Sequence, residues 1–63
     1  MTARVRIALA LHRRRVATRG TYEALEIQFR LADVLRALTD TEARAYRDAW
    51  ARARDSRLRA EGL

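Results

Sequence analysis

Apolar residues recur with helical spacing along most of this chain, and local signals divide it into three helical segments. Gly20 can end the first segment, and Thr21 can cap the second. The run 39–42, Thr-Asp-Thr-Glu, has the capping-box pattern and marks a third start. The pattern therefore predicts helices over residues 3–17, 22–38 and 40–59.

The second segment carries apolar residues on two opposite helical faces. One face holds Ile27, Leu31, Val34 and Leu38, and the other holds Tyr22, Leu25 and Phe29. A helix that is apolar on two sides is typical of an element packed between two neighbours. We therefore expect the second helix to be the central one of three.

The third segment has one apolar face that ends before the segment does. That face consists of Ala45, Tyr46, Ala49, Trp50 and Ala53. Beyond it follow Arg-Asp-Ser-Arg at 54–57, where no apolar stripe continues. The end of this helix is therefore expected to fray or to project away from the domain.

Two shorter stretches also alternate apolar and polar or small residues, which is the pattern of a strand. They cover residues 4–11 and 24–31. A β-ribbon followed by a long helix is thus the alternative to an all-α fold. The stretch EIQFRLADVLRAL is similar to the strand-to-helix entry of ribbon-helix-helix repressors. That resemblance implies that Glu26, Gln28 and Arg30 read bases in the major groove.

Composition favours the helices. Ala, Leu, Arg and Glu supply 39 of the 63 residues, all of them good helix formers, and Pro is absent. We therefore predict a small all-α domain spanning residues 1–63, with a basic segment at 1–20 and a helical core at 21–60.

A chain of this length buries only about 60% of its unfolded surface, and no Cys is present to form a disulfide. A small core of this kind is commonly completed by a second subunit or a partner, so we expect a homo-oligomer, most simply a homodimer. The residues predicted for the core or dimer interface are Phe29, Leu31, Leu35, Leu38, Tyr46 and Trp50.

Positive charge is concentrated near the start of the chain. Residues 1–20 contain six arginines and no acid, whereas residues 21–63 contain eight arginines and eight acids. Clustered guanidinium groups bind phosphates by releasing condensed counterions, independently of base sequence. The candidate nucleic-acid-binding residues are Arg4, Arg6, Arg13, Arg14, Arg15 and Arg19.

The same basic segment has other interpretations: docking on an acidic protein, a solvated helix end, or a targeting segment. Contact with a membrane is not expected, because on a helical wheel Ile7 and Leu11 lie among the arginines and leave no continuous apolar face. The arginines of the later segments are spaced i,i+4 from acids and predict a solvated face of surface pairs.

Catalytic chemistry finds little support. One His and one Ser make no triad, and His12 has no companion ligands for a metal. Tyr46 and Trp50, one turn apart, could stack on bases but are more typical of a core or interface. No apolar run reaches the ~20 residues of a membrane span, and the absence of Cys suits the cytoplasm.

The sequence therefore favours a non-enzymatic DNA- or RNA-binding accessory or regulatory protein without metal or cofactor. The alternative is an adaptor for an acidic protein surface, of the kind that phages and mobile elements encode.

Overall fold

The computed structural model describes residues 1–60, which form three helices and no strand. Helix α1 spans Ala3–Ala17, α2 spans Tyr22–Ala37, and α3 spans Asp40–Ala60. The predicted all-α class is confirmed, and each predicted helix boundary lies within one residue of the observed one.

The β-ribbon alternative is wrong. Residues 4–11 lie inside α1 and residues 24–31 inside α2. Alternation in these stretches coincides with strong helix formers and with capped starts, and the helical preference prevails. Glu26, Gln28 and Arg30 consequently point around a helix instead of along one strand face, so the resemblance to ribbon-helix-helix repressors does not extend to the fold.

Threonine side chains cap the starts of all three helices. Thr2 and Thr21 accept hydrogen bonds from the backbone N–H of the residue three positions later, at 3.4 and 3.3 Å. At α3 the capping box is complete: the Glu42 N–H donates to Thr39 Oγ1 at 3.2 Å, and the Thr39 N–H donates to Glu42 Oε1 at 3.1 Å. Between α1 and α2, Gly20 adopts φ +84°, a left-handed conformation that glycine adopts without strain.

The central helix is α1, which corrects the expectation that α2 lies between the others. Helix α1 packs against both α2 and α3, while α2 and α3 scarcely touch each other. The molecule measures 36 × 31 × 14 Å. Its smallest dimension is close to the diameter of one helix, about 10–12 Å. The three helices therefore form a single open layer.

The buried core is small because a single layer encloses little. It consists of Val5 and Ala8 from α1 and Ile27 and Leu31 from α2, each at most 5% exposed. Helix α3 contributes no fully buried residue. The basic first segment thus contributes half of the buried core residues, because the inner face of α1 packs against α2.

The residues predicted for the core or dimer interface lie in different surroundings. Leu31 is buried, and Leu35, Leu38 and Tyr46 are half-buried in the layer. Phe29 and Trp50, in contrast, are 71% and 36% exposed.

Beyond Trp50, every described residue of α3 is exposed, although Ala53 and Arg57 still line a cleft beside α1. None of the three helices combines the length and the apolar character required to cross a bilayer.

Candidate nucleic-acid interface

Two of the six N-terminal arginines are engaged with groups on other helices. Arg4 donates to the Ala37 carbonyl at 3.1 Å and lies 3.9 Å from a carboxylate oxygen of Glu42. Arg14 donates to Glu23 Oε1 through two guanidinium nitrogens, at 3.2 and 2.9 Å. These interactions form because α1 lies between the helices that carry the acids. The positive charges of Arg4 and Arg14 are therefore locally compensated.

The other four, Arg6, Arg13, Arg15 and Arg19, form no ion pair with any described residue. Arg6 and Arg13 lie two turns apart on one exposed face of α1, about 10 Å along the helix axis. Arg13 and Arg15 differ by two positions and therefore project in directions roughly 160° apart around α1. The free arginines thus surround the C-terminal end of α1 instead of sharing one flat face.

A groove between the end of α1 and the start of α2 holds two of these arginines. Its volume is about 730 Å³, and Arg15 and Arg19 line it together with Tyr22, Leu25 and Gln28. The groove therefore presents guanidinium groups beside apolar and amide side chains.

A second cleft, of about 360 Å³, lies between α1 and α3. Arg13 from α1 and Arg57 from α3 both line it, along with His12 and Trp50. Arg57 was not among the sequence candidates, because the charge of the third segment is balanced and only the packing of α3 on α1 brings this residue to the cleft. Arg57 also forms no ion pair with a described residue.

We define the arginine cluster as Arg13, Arg15, Arg19 and Arg57, the unpaired arginines around the C-terminal end of α1. Of the sequence candidates, the structure brings together Arg13, Arg15 and Arg19. Arg6 lies two turns away.

The electrostatics of the cluster are visible at His12. Burial lowers the pKa of His12, and the positive charges of Arg15 and Arg57 lower it further. Nδ1 of His12 lies 3.2 Å from the Tyr46 hydroxyl. With Nδ1 unprotonated, the neutral imidazole can accept a hydrogen bond from that hydroxyl, whereas the imidazolium cannot. Burial also raises the pKa of Tyr46, although Arg15 opposes this rise, so the hydroxyl remains a donor at neutral pH.

Both aromatic residues of α3 are engaged in packing. The His12 ring meets Trp50 edge-on, with centroids 5.3 Å apart and planes at 87°. The Arg54 guanidinium lies over the indole, 5.9 Å from the ring centroid. A base stacking on that face of Trp50 would have to displace Arg54, so the packing interpretation of this pair is favoured over base stacking.

The i,i+4 charges of α3 do not close into ion pairs. The pairs expected from spacing were Asp40–Arg44, Arg44–Asp48, Asp48–Arg52 and Asp55–Arg59, and none is formed. Within one helix, the described residues hold a single ion pair, Asp33–Arg36. Across residues 1–60, no three acidic or histidine side chains come together as a metal site.

Searches against protein-family models, curated proteins and solved structures gave no match for this chain.

Proposed function

We propose that this protein is a non-enzymatic nucleic-acid-binding accessory or regulatory protein that contacts phosphates through the arginine cluster. One observation carries the proposal: four arginines gather at one end of the molecule, and no described carboxylate pairs with them. Arg15 and Arg57 act on His12 from two different helices. The concentration of positive charge is therefore a property of the fold as well as of the sequence.

Mutual repulsion of the cluster favours a polyanionic ligand. Each guanidinium raises the electrostatic cost of its neighbours, and a phosphate backbone relieves that cost while releasing its own condensed cations. Arginine is also suited to phosphate because its planar donors can bind two oxygens at once. Such contacts position a nucleic acid without reading its base sequence.

The arrangement of the cluster favours a flexible single strand over a straight duplex. Arg13 and Arg15 project to different sides of α1, and Arg57 reaches the same end from α3. A single strand can bend around this end and contact all four arginines, whereas a rigid duplex lying on one side meets fewer of them. We therefore expect tighter binding to single-stranded DNA or RNA than to a duplex of equal length.

Fluorescence anisotropy of a labelled oligonucleotide over a salt series tests the proposal. Four phosphate contacts with a single strand give a slope of log K against log salt near −2.8. The affinity then falls about 50-fold between 50 and 200 mM salt. Absence of binding at low salt to single-stranded or duplex DNA or RNA would refute the proposal.

A matched pair of double variants separates the cluster from general charge. The variant Arg13→Gln/Arg57→Gln removes two cluster contacts, and the slope should become shallower by about 1.4. The control Arg44→Gln/Arg47→Gln removes the same net charge from exposed positions on α3 outside the cluster. If both pairs weaken binding equally, the affinity reflects net charge and the cluster is not the site.

A second candidate function, an adaptor docking on an acidic protein surface, is favoured by the groove between α1 and α2. There Arg15 and Arg19 lie beside Tyr22 and Leu25, a mixture of charge and apolar surface that suits a protein partner. Binding to an acidic peptide with no binding to nucleic acid at low salt would select this function.

A further inference from the structure

The most exposed large apolar side chains of α2 form one continuous stripe. Tyr22, Leu25 and Phe29 are 89%, 53% and 71% exposed. Their spacing places them on the face of α2 opposite Ile27 and Leu31, which are buried against α1. We call Tyr22, Leu25 and Phe29 the outer stripe. Tyr22 and Leu25 border the groove that Arg15 and Arg19 of α1 also line, and Phe29 lies outside that groove.

From this stripe and its borders we infer that the protein forms a homodimer in which α2 packs antiparallel against α2 of a second copy. The inference does not depend on nucleic-acid binding. Six residues were predicted from the sequence for the core or the dimer interface, and most of them lie within the layer. The inferred interface is instead one face of one helix, α2.

The area fits a small dimer interface. At about 200 Å² per aromatic side chain, Tyr22 and Phe29 together expose roughly 300 Å² in each copy. Leu25 and the border residues extend this surface, and two copies together approach the ~1,000 Å² expected of a specific interface. The open shape agrees: the radius of gyration is 12.5 Å, compared with about 10.6 Å for a compact domain of this length.

Charge along the borders of the stripe identifies the partner as a second copy. Glu26 and Arg30 follow each other one turn apart along one border, and neither forms an ion pair with a described residue. In an antiparallel helix pair with a twofold axis near residue 28, equivalent borders face each other. Glu26 of each copy then meets Arg30 of the other, and two reciprocal ion pairs form.

The same borders determine the orientation. In a parallel pair, the charged border faces the opposite border of the other copy, which holds Gln28 and Ala32. Arg15 and Arg19 of α1 lie beside that border, so Arg30 would face a basic surface and lack a carboxylate partner across the interface. Only the antiparallel arrangement gives both charges a partner. With the axis near residue 28, the two stripes meet at Phe29, while Tyr22 and Leu25 of each copy face residues 31–34 of the other.

Sedimentation equilibrium without nucleic acid, across the micromolar range, tests the dimer directly. The wild-type protein should show twice the 7.3 kDa chain mass. Phe29→Ser should raise the dimer Kd about 30-fold, as for the loss of a central aromatic anchor. The control Leu58→Ser changes an exposed leucine outside the stripe and should leave the Kd unchanged. Circular dichroism verifies that each variant retains its helices.

A charge-reversal series tests the antiparallel register. Glu26→Arg and Arg30→Glu each place like charges across the interface, and each should weaken the dimer about tenfold. The double variant Glu26→Arg/Arg30→Glu restores opposite charges and should return the Kd to within about threefold of the wild-type value.

Three results would overturn the inference. They are a monomer mass at every concentration, a dimer unaffected by Phe29→Ser, and a double variant as weak as the single ones. If a foreign protein binds the outer stripe while the chain itself stays monomeric, that result also overturns the inference, as a monomer mass does. None of these results bears on phosphate binding, because the measurement contains no nucleic acid.

Discussion

Replacing Leu31 by Ala tests whether the contact between α1 and α2 holds the layer together. Leu31 is 4% exposed and is one of four buried core residues within residues 1–60. Leucine-to-alanine changes in cores cost about 2–5 kcal/mol. The thin layer can relax around the cavity, so we expect the lower part, about 2–3 kcal/mol. A chain of this length has a total stability of about 3–9 kcal/mol, and the variant should lose a large share of it.

Urea denaturation followed by far-ultraviolet circular dichroism measures this loss. The matched control is Leu58→Ala, which makes the same chemical change at a 40% exposed position on α3. It should change the free energy of unfolding by less than about 0.5 kcal/mol. In thermal melts, Leu31→Ala should lower Tm by roughly 10–20 °C.

Both variants must be compared at one protein concentration, because self-association contributes to the apparent stability. If Leu31→Ala and Leu58→Ala reduce the stability equally, the four-residue core is not what stabilises the fold, and the reasoning fails.

Two further predictions concern charge. Glu23→Gln removes the carboxylate that pairs with Arg14, so Arg14 becomes available to phosphate. The slope of log K against log salt for single-strand binding should then steepen by about 0.7. An unchanged slope in the anisotropy assay would show that Arg14 does not reach the ligand. His12 has a folded-state pKa below its ordinary 6.5, so the unfolded chain binds the proton first, and stability should fall as pH drops from above 6.5 through the folded pKa. His12→Gln should flatten that part of the curve of urea midpoints against pH, and an equal slope in both proteins would refute the assignment.

The helices could be predicted from the sequence because their ends depend on local signals. The side chains of Thr21 and Thr39 hydrogen-bond to residues three positions away, and Gly20 needs only its own backbone freedom. Interactions of this range are visible in a short stretch of sequence. The end of α1, the starts of α2 and α3, and the capping box could therefore be predicted.

The order of the helices in the layer could not be predicted in the same way. The inner face of α1 is made by Val5 and Ala8, whereas Ile7, the larger residue between them, is 51% exposed. Alternation obscured which face of α1 was apolar. The two apolar faces of α2 suggested a helix packed between two neighbours. Its second apolar face, around Phe29, is instead exposed and packs on no neighbouring helix of the described chain.

The candidate site was predictable only as a region of positive charge. Arg4 and Glu42 are 38 positions apart, and Arg14 and Glu23 face each other across a turn between helices. No local sequence pattern predicts which arginines form ion pairs with carboxylates on other helices. Tertiary packing therefore engages Arg4 and Arg14 in ion pairs and supplies Arg57 from the other end of the chain. Arg6 remains unpaired among the described residues but lies two turns away from the cluster.

His12 shows that the free protein retains an electrostatic cost that a ligand can relieve. Burial is the largest cause of the lowered pKa of His12, and Arg15 and Arg57 lower it further because an additional positive charge at this point is unfavourable. A phosphate beside these arginines reverses that effect and raises the pKa of His12. By linkage, the affinity for a polyanion must then increase as the pH falls, while the stability of the free protein decreases. An uncharged ligand placed in the same cleft increases desolvation and lowers the pKa further, so the sign of the shift distinguishes a phosphate ligand from an apolar one.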